Sequence, residues 1–260
     1  MLGAAKSSFV SEGVSMKFTI VAGAMASAFL SVSPIAAYAT TLSDGDFASL
    51  GTPLVYTASG ETVGYQNPCT SCGNPDFGLQ ASFSDTTTVP STASAVGFVD
   101  TGLSYNPGSS GAIASISATY QRMLTYSTSL AAPTYFFRLA IDQGGVYYAA
   151  NINQGSMDPG NVWHTFSASG LTASSFTQFD FTTGNFLTSH PDFSSSAASM
   201  AFGVLVLGGL SGENQSVIAD FDNFNITITQ TPLPAALPLF ATGLAGLGLL
   251  GWRRKRKVAA

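Results

Sequence analysis

The sequence predicts an all-β sandwich over residues 40–230, with a targeting segment on either side of it. Only 9% of the 260 residues are charged, and few stretches combine helix-forming residues with a period of 3.6. Short apolar or alternating runs recur instead, separated by Gly, Pro, Asn and Asp, which is typical of sandwiches and barrels built from short strands. No interdomain linker interrupts this region, and it is long enough for one domain with a sizeable core.

Seven runs in this region are predicted strands. In one of them Phe137 and Leu139 alternate with Phe136 and Arg138, so that one face of the strand can be buried. A Gly-Gly pair at 144–145 follows that run and predicts a tight hairpin turn. The predicted strands are 112–120, 135–141, 146–150, 163–168, 175–181, 200–207 and 217–228.

The C-terminal residues have the composition of a membrane anchor. Residues 233–252 carry no charge, and a helix that spans the hydrocarbon core needs about 20 apolar residues. Trp252 stands where an interfacial aromatic residue is expected. A basic residue costs roughly 2.5–3.5 kcal/mol at the bilayer centre, so the five that follow predict a stop to transfer with its end in the cytoplasm. The alternative, a buried core helix, is usually shorter and amphipathic. The five stop residues are Arg253, Arg254, Lys255, Arg256 and Lys257.

An apolar run near the N-terminus predicts a secretory signal peptide over residues 16–39. The uncharged run 18–32 follows Lys17, and Ala37 and Ala39 stand at the two positions that a signal peptidase reads. We expect cleavage after Ala39. Residues 1–15 have no place in this scheme, which indicates that translation begins at Met16. The alternative is an uncleaved N-terminal anchor, for which the apolar run is short.

Charge separates the predicted exported domain from its flanks. Within residues 40–231 there are two basic residues, Arg122 and Arg138, against thirteen acidic ones, which gives a formal charge of −11. A surface of this sign repels phosphate backbones, so we expect no nucleic-acid partner. It favours solubility and tolerates divalent cations.

The C-terminal order of a Pro-rich motif (231–238), an apolar run and a basic end resembles the PEP-CTERM sorting signal of bacterial envelope proteins. Pro232, Leu233 and Pro234 stand where that family has Pro-Glu-Pro, so the chain departs from the motif at Leu233. The resemblance covers residues 231–257. It implies export across the inner membrane, anchoring by a single C-terminal span, and processing by an exosortase-type enzyme that leaves the protein at the cell surface or outside it. Such proteins are often associated with exopolysaccharide or biofilm. Residues 237–241 do not provide the Leu-Pro-x-Thr-Gly motif of a sortase signal.

Two segments resemble the first and last strands of galactose-binding-like jelly-roll modules. They read Leu-Ser-Asp-Gly-Asp-Phe at 42–47 and Asp-Phe-Asp-Asn-Phe-Asn-Ile-Thr at 220–227, and residues 163–166 match a Trp-x-x-Phe strand of those modules. The resemblance implies a jelly-roll sandwich whose first and last strands lie near one another, where some members hold structural calcium. Calcium takes six to eight oxygen ligands. The alternative is that the acidic residues here only occupy strand ends and turns. The calcium candidates are Asp44, Asp46, Asp220 and Asp222.

The residues that could carry catalysis form no recognisable site. Cys69 and Cys72 are the only cysteines, and in an exported chain they predict a disulfide that closes a turn-rich loop. A redox role would need a helix N-terminus, and a zinc site would need four ligands. No Gly-x-Ser-x-Gly elbow, Ser-His-Asp grouping or phosphate-binding loop is present, and no spacing selects a glycosidase pair of carboxylates. The sequence therefore predicts a non-catalytic surface or matrix protein, with an envelope hydrolase as the remote alternative.

Carbohydrate binding is the main alternative to a purely structural role. Such sites stack aromatic rings on sugar faces and use amides and carboxylates as hydrogen-bonding groups. Any one ring, however, is more often packed in the core or across strands, so the sequence does not choose among the candidates. The aromatic and amide candidates are Tyr105, Tyr135, Tyr147, Tyr148, Trp163, Asn151, Asn153 and Gln154.

Overall fold

Alternating apolar residues and frequent turn residues give this chain an almost entirely β structure. We analysed a computed structural model, which describes residues 38–45, 47, 50–85, 93–126, 134–152, 161–209 and 215–232. Most of the predicted signal peptide, Asp46 and the predicted anchor from Leu233 onward lie outside the described residues. Within the described part, no helix has the length and apolar character needed to cross a bilayer.

The described residues form thirteen strands, one short helix and one 3-10 turn. The helix α1 is Pro107–Ser110 and the 3-10 turn is Ala173–Ser175. The strands are β1 Ala39–Asp44, β2 Leu54–Tyr56, β3 Glu61–Gly73, β4 Asp76–Asp85, β5 Ser94–Tyr105, β6 Ile113–Tyr126, β7 Thr134–Gln143, β8 Val146–Asn151, β9 His164–Leu171, β10 Phe176–Asp180, β11 Asn185–Phe186, β12 Met200–Gly209 and β13 Ser216–Gln230.

The first sheet is organised around β13, the last strand. Its order is β3-β4-β13-β6-β9, and β1 also pairs with β13. Strand β6 runs along nearly the whole of one edge of β13. The other edge is shared, because β4 pairs with residues 216–221 and β1 pairs with residues 224–229. The register shifts between Asp222 and Asn225, where β4 gives way to β1 on the other edge. Asn223 within this bulge takes the left-handed conformation (φ 54°), which asparagine adopts more readily than most residues.

The second sheet has the order β11-β10-β8-β7-β12-β5-β2, and its neighbouring strands are antiparallel. Strands β7 and β8 form the hairpin that the sequence predicts. Its turn residues Gly144 and Gly145 have φ values of 66° and 83°, which glycine adopts without the steric cost that a Cβ would bring.

Aromatic rings from both sheets meet in one core. Tyr120 of β6 stacks on Phe137 of β7 with 3.8 Å between ring centroids, and Phe221 of β13 lies 4.5 Å from the same ring. Phe166 of β9 packs on the other side of the cluster, 5.3 Å from Tyr120. These residues belong to one buried apolar cluster that receives side chains from both sheets. The predicted all-β sandwich is therefore confirmed.

All seven predicted strands are present, and the first and last strands pair as the resemblance implies. The N-terminal half departs more from expectation. The segment around Cys69 and Cys72 lies within β3 rather than in a loop, although the register of β3 shifts on both sides of Cys69. The two cysteines are joined by a disulfide. Turn-forming Asn, Pro and Gly residues occur here inside an irregular edge strand, where a missing amide hydrogen is tolerated.

Two adjacent phenylalanines test the assignment of faces on β7. Phe137 is fully buried, whereas Phe136 is 41% exposed on the opposite face. We expect Phe137→Ala to lower the free energy of unfolding by about 3–5 kcal/mol, because it leaves a cavity between the sheets. We expect Phe136→Ala to change it by less than about 1 kcal/mol. Equilibrium unfolding of residues 40–232 in urea measures both values, and equal losses would show that the two faces are not distinguished.

Candidate functional site

One candidate site lies on the face of the second sheet that points away from the core, called here the outer face. Its floor is made of small and aliphatic residues that alternate along each strand with core residues. Ala140 of β7 and Ala149 of β8 lie at its centre, and Gly97 of β5 lies towards one side. The buried members of this second apolar cluster are Ala95, Ala140, Ala149, Phe179, Leu205 and Leu207.

The turn after β10 lies over this floor. A Cβ added to Gly97 would stand 2.4 Å from the ring of Phe181, and a Cβ added to Gly184 would stand 2.2 Å from the ring of Tyr56. Only glycine allows contacts this close at both positions. Gly184 also has a φ of 70°, which other residues adopt at a cost. The sequence therefore folds segment 181–184 onto the outer face because these two positions lack side chains.

A continuous chain of ring contacts crosses the outer face. Tyr147 lies 5.3 Å from Phe181, Phe181 lies 4.8 Å from Phe179, and Phe179 lies 5.0 Å from Phe186. The guanidinium of Arg138 then lies 4.3 Å from the centroid of the Phe186 ring. Two of these contacts are edge-on, a geometry that aromatic pairs prefer. Phe179 and Phe181 thus support Phe186 from beneath.

Phe186 and its neighbours leave part of this chain open to solvent. Phe186 is 37% exposed, and Asn151 of β8, which is exposed, stands directly opposite Arg138 of β7. Phe136 lies two residues from Arg138 on the same face of β7. We call these four residues, together with the half-buried Tyr147, the outer aromatic surface. It combines apolar rings with a cation, an amide and a phenol.

Electrostatics sets which hydrogen-bonding groups this surface offers. Burial, and to a lesser extent the charge of Asp142, raises the pKa of Tyr147 to about 12, so its hydroxyl keeps its proton at neutral pH. Burial also lowers the pKa of Arg138 from its ordinary value. The Nε of Arg138 is buried and meets no acceptor among the described residues. The described part of the chain therefore supplies no acceptor for the Nε of Arg138.

The acidic residues predicted to bind calcium have separate surroundings. Asp44 stands opposite Phe224 and so on the core face of the first sheet, whereas Asp220 stands opposite Gln80 and Met123 on the other face. Asp220 accepts a 2.9 Å hydrogen bond from Gln80, and burial raises its pKa. Asp222 accepts from the backbone amides of Asn74 and Asn223.

The described residues contain no group of three or more His, Cys, Asp or Glu placed to hold a metal ion. Asp46 lies outside the described residues, so the four predicted carboxylates are not brought together by what the structure describes. Calcium binding by Asp44, Asp46, Asp220 and Asp222 stays a prediction.

Asp44 instead faces a carboxyl that sequence reasoning did not single out. Asp100 of β5 is 1% exposed, and its pKa rises to about 6 through burial first, and through its hydrogen bond with Asp44 and the Asp44 charge second. The amide of Gly102 donates a 2.7 Å hydrogen bond to Oδ1 of Asp100 and opposes this rise. One proton shared between two facing carboxyls relieves their repulsion.

One pair of carboxyl groups and one histidine bear on the hydrolase alternative. Glu61 and Asp85 are cross-strand neighbours on β3 and β4, and both are buried. Glu61 accepts a hydrogen bond from the amide of Ser94. His190 contacts the carbonyl of Phe176 through Nδ1 rather than a serine hydroxyl. Glu61 and Asp85 are therefore buried side by side on paired strands, and His190 contacts a backbone carbonyl.

A cleft of about 440 Å³ lies where the described chain begins and ends. Its lining includes Tyr38, Gln230 and Pro232, and none of its lining residues is acidic, basic, His or Cys. Tyr38 precedes the predicted cleavage site after Ala39, so it is absent from the predicted mature chain. The cleft offers no group for acid–base or metal chemistry.

The structure divides the aromatic residues proposed from the sequence. Tyr147 and Asn151 reach the outer aromatic surface, whereas Tyr148 packs against the core and Tyr105 is buried with its hydroxyl donating to the carbonyl of Gly111. Trp163 is half-buried before β9. Asn153, Gln154 and the side chain of Tyr135 lie outside what the structure describes.

Sequence reasoning missed the residues that dominate the surface. The alternation in β7 already placed Phe136 and Arg138 on the face opposite the core, and this signal could have identified them. No comparable signal marks Phe186, since its position depends on the turn at 181–184.

Comparison with known proteins yields structural similarity alone. No protein-family model matches the chain, and no curated protein matches it. One similar solved structure is a carbohydrate-binding module from the β-sandwich superfamily, with 9% identity, a TM-score of 0.38, and coverage of 70% of this chain and 60% of that chain. The CBM22-1 xylan-binding domain from Paenibacillus barcinonensis Xyn10C shows 12% identity and a TM-score of 0.32, over 74% of this chain and 94% of that chain.

A carbohydrate-binding module described for specific mannan recognition, TmCBM27, shows 9% identity and a TM-score of 0.37, over 74% of this chain and 99% of that chain. An exo-β-agarase shows 14% identity and a TM-score of 0.35, over 74% of this chain and 25% of that enzyme. The chain thus spans 60% of the first of these structures and a quarter of the agarase. At identities and TM-scores this low, the similarities say nothing about what this chain binds.

Proposed function

We propose that this chain is an exported, non-catalytic jelly-roll module that binds polysaccharide through its outer aromatic surface. The observation that carries the proposal is the exposed ring of Phe186, which packs against Phe179 and has the guanidinium of Arg138 over part of its face. A supported ring is already held at a fixed angle, so the protein loses little side-chain conformational entropy when a ligand stacks on it.

Sugar rings match this combination of groups. The faces of a pyranose carry C–H groups that pack on an aromatic ring, and its rim carries hydroxyls that accept and donate hydrogen bonds. Asn151 stands opposite Arg138 and is exposed, and Tyr147 keeps its phenol proton at neutral pH. Sites of this composition use apolar contact for affinity and a few polar groups for orientation.

The terminal segments supply delivery in this proposal. The predicted signal peptide exports the chain, and residues 231–257 anchor it until an exosortase-type enzyme processes it. Strands β1 and β13 pair antiparallel with Ala39 opposite Thr229, so the predicted mature N-terminus and the segment leading to the anchor lie side by side. The module would then serve an exopolysaccharide or biofilm matrix at the cell surface.

Removing the supported ring tests the proposed binding surface. We expect Phe186→Ala to weaken binding of the full chain, in detergent, to polysaccharide by about tenfold, which is the low end of the roughly 1–3 kcal/mol that stacking on one aromatic side chain contributes for nucleic-acid bases. Phe77→Ala is the matched control, because Phe77 is 43% exposed but lies on β4 of the other sheet. Affinity electrophoresis in gels containing each polymer gives both values. Equal losses in the two variants would contradict the proposal.

Deleting the predicted anchor tests delivery. In the native host we expect the chain without residues 233–257 to leave the membrane fraction and to appear as a soluble exported protein. Mass spectrometry of the full-length chain should find a mature N-terminus at Thr40 and a C-terminus near the 232–234 motif. Retention of the shortened chain in membranes would show that residues 233–257 are not the anchor.

A further inference from the structure

We propose that the outer aromatic surface selects an acidic sugar, with the carboxylate of a uronate unit bound by Arg138 and the sugar ring stacked on Phe186. The inference rests on the proposed polysaccharide-binding function and specifies its ligand. The occupant is a uronate-containing polysaccharide rather than a neutral one.

Arg138 is a charged group that the described protein leaves without a counter-charge. Its guanidinium forms no ion pair or hydrogen bond among the described residues and lies 4.3 Å from the centroid of the Phe186 ring. Its Nε is buried. A half-buried guanidinium is costly to desolvate unless a partner compensates its charge.

The rarity of basic residues makes this position informative. Only Arg122 and Arg138 are basic among residues 40–231, against thirteen acidic residues. Arg122 is 3% exposed and lies over the ring of Phe166 on the core face. Arg138 is therefore the one basic side chain of the described residues that a ligand on the outer face can reach.

The geometry of the guanidinium favours a carboxylate over a hydroxyl. Arginine presents parallel N–H donors in a planar fork that matches the two oxygens of a carboxylate, and such charge-assisted pairs are about twice as strong as neutral ones. The fork is held against Phe186 by a cation–π contact. Carboxylate and ring would then be held together, which matches a pyranose that carries its acid on the ring.

The acidic residues near Arg138 limit where on the outer face a carboxylate can bind. Asp142 lies on the same face of β7 as Arg138, and its charge is felt by Tyr147. Exposed charges farther apart than about 8 Å are largely screened at physiological ionic strength. A uronate at Arg138 is therefore attracted locally, while a second carboxylate beside Asp142 is repelled.

Matched polymers test the inference directly. The full chain, solubilised in detergent, is titrated with polygalacturonate and alginate, and with the same two polymers after esterification or reduction of their carboxyls. We expect at least one acidic form to bind about tenfold more tightly than its neutral counterpart. Arg138→Gln should abolish that preference, and Arg138→Lys should retain only part of it, because lysine keeps the charge and loses the fork. Phe77→Ala should leave the preference unchanged, and unaltered near-ultraviolet circular dichroism verifies that each variant is folded.

The outcomes separate the inference from the proposed function. If the chain binds neutral forms as tightly as acidic ones, or if Arg138→Gln keeps the preference, the uronate inference is overturned while polysaccharide binding stands. If the chain binds none of the polymers in either form, both the proposed function and the inference fail. If Arg138→Gln loses the preference for the acidic form and Phe186→Ala binds both forms more weakly, the result supports Arg138 as the carboxylate-binding residue and Phe186 as the stacking residue.

One carboxyl pair gives a pH test of the domain that carries this surface. The pKa of Asp100 is about 6 in the folded protein, whereas in the unfolded chain it has the ordinary value of 3.8. Between these values the unfolded state binds fewer protons, so the free energy of unfolding falls as pH rises. We expect Asp100→Asn to remove this slope and to melt above the wild type at pH 7 but not at pH 4.

The matching control has the opposite sign. Hydrogen bonds from Thr182 and Thr183 lower the pKa of Asp180, so Asp180→Asn should melt below the wild type at pH 7 and approach it at low pH. Calorimetric melting temperatures from about pH 2 to pH 7, in the presence of a chelator, compare the three proteins and cover the pH range in which each carboxyl titrates. An unchanged slope in Asp100→Asn would rule out this carboxyl as its source.

Discussion

The first sheet depends on a single strand that the chain completes last. Strand β13 pairs with β6 on one edge and with both β4 and β1 on the other, so three strands would lose a partner without it. Its apolar residues also fill the core, where Phe221 lies against Phe137 of the second sheet. Pairing between the two ends of a chain is slow, because a long loop must close before any contact forms. The core therefore stays open until the chain is available almost to the end of β13.

The two faces of β7 show how far the sequence predicts the structure. Alternation alone separated Phe137 and Leu139 from Phe136 and Arg138 on the two faces of the strand, and the structure buries the first pair in the core. The sequence could not predict the series of aromatic contacts from Tyr147 to Phe186 on this opposite face. That series depends on Phe181 resting where Gly97 has no side chain, which is a contact between segments more than eighty residues apart. Local patterns carry no information on such a contact.

The acidic residues show a second limit, which is set by register. A shift of one residue moves a side chain to the other face of a strand. The resemblance grouped Asp44 with Asp220 and Asp222, but the bulge between Asp222 and Asn225 changes which face of β13 each residue occupies. The extra residue of the bulge leaves Asp44 on the core face and Asp220 on the other face. Asp44 then meets Asp100, which the sequence places 56 positions away within an apolar strand and gives no reason to select.

The position of the outer aromatic surface along the strands relates binding to anchoring. Phe137 packs against Phe221, and β13 then runs about nine residues further before it ends at Gln230. At roughly 3.3 Å per residue, that distance is about 30 Å. Arg138 follows Phe137 and lies at the same level of the sandwich, on its far sheet. A chain still held by residues 233–252 would therefore carry its binding surface well away from the point where it leaves the domain for the membrane. Cleavage by a sorting enzyme would release the module without being needed to expose its ligand site. Under the proposed function, the same domain would hold polysaccharide against the cell surface before processing and would remain in the matrix after it.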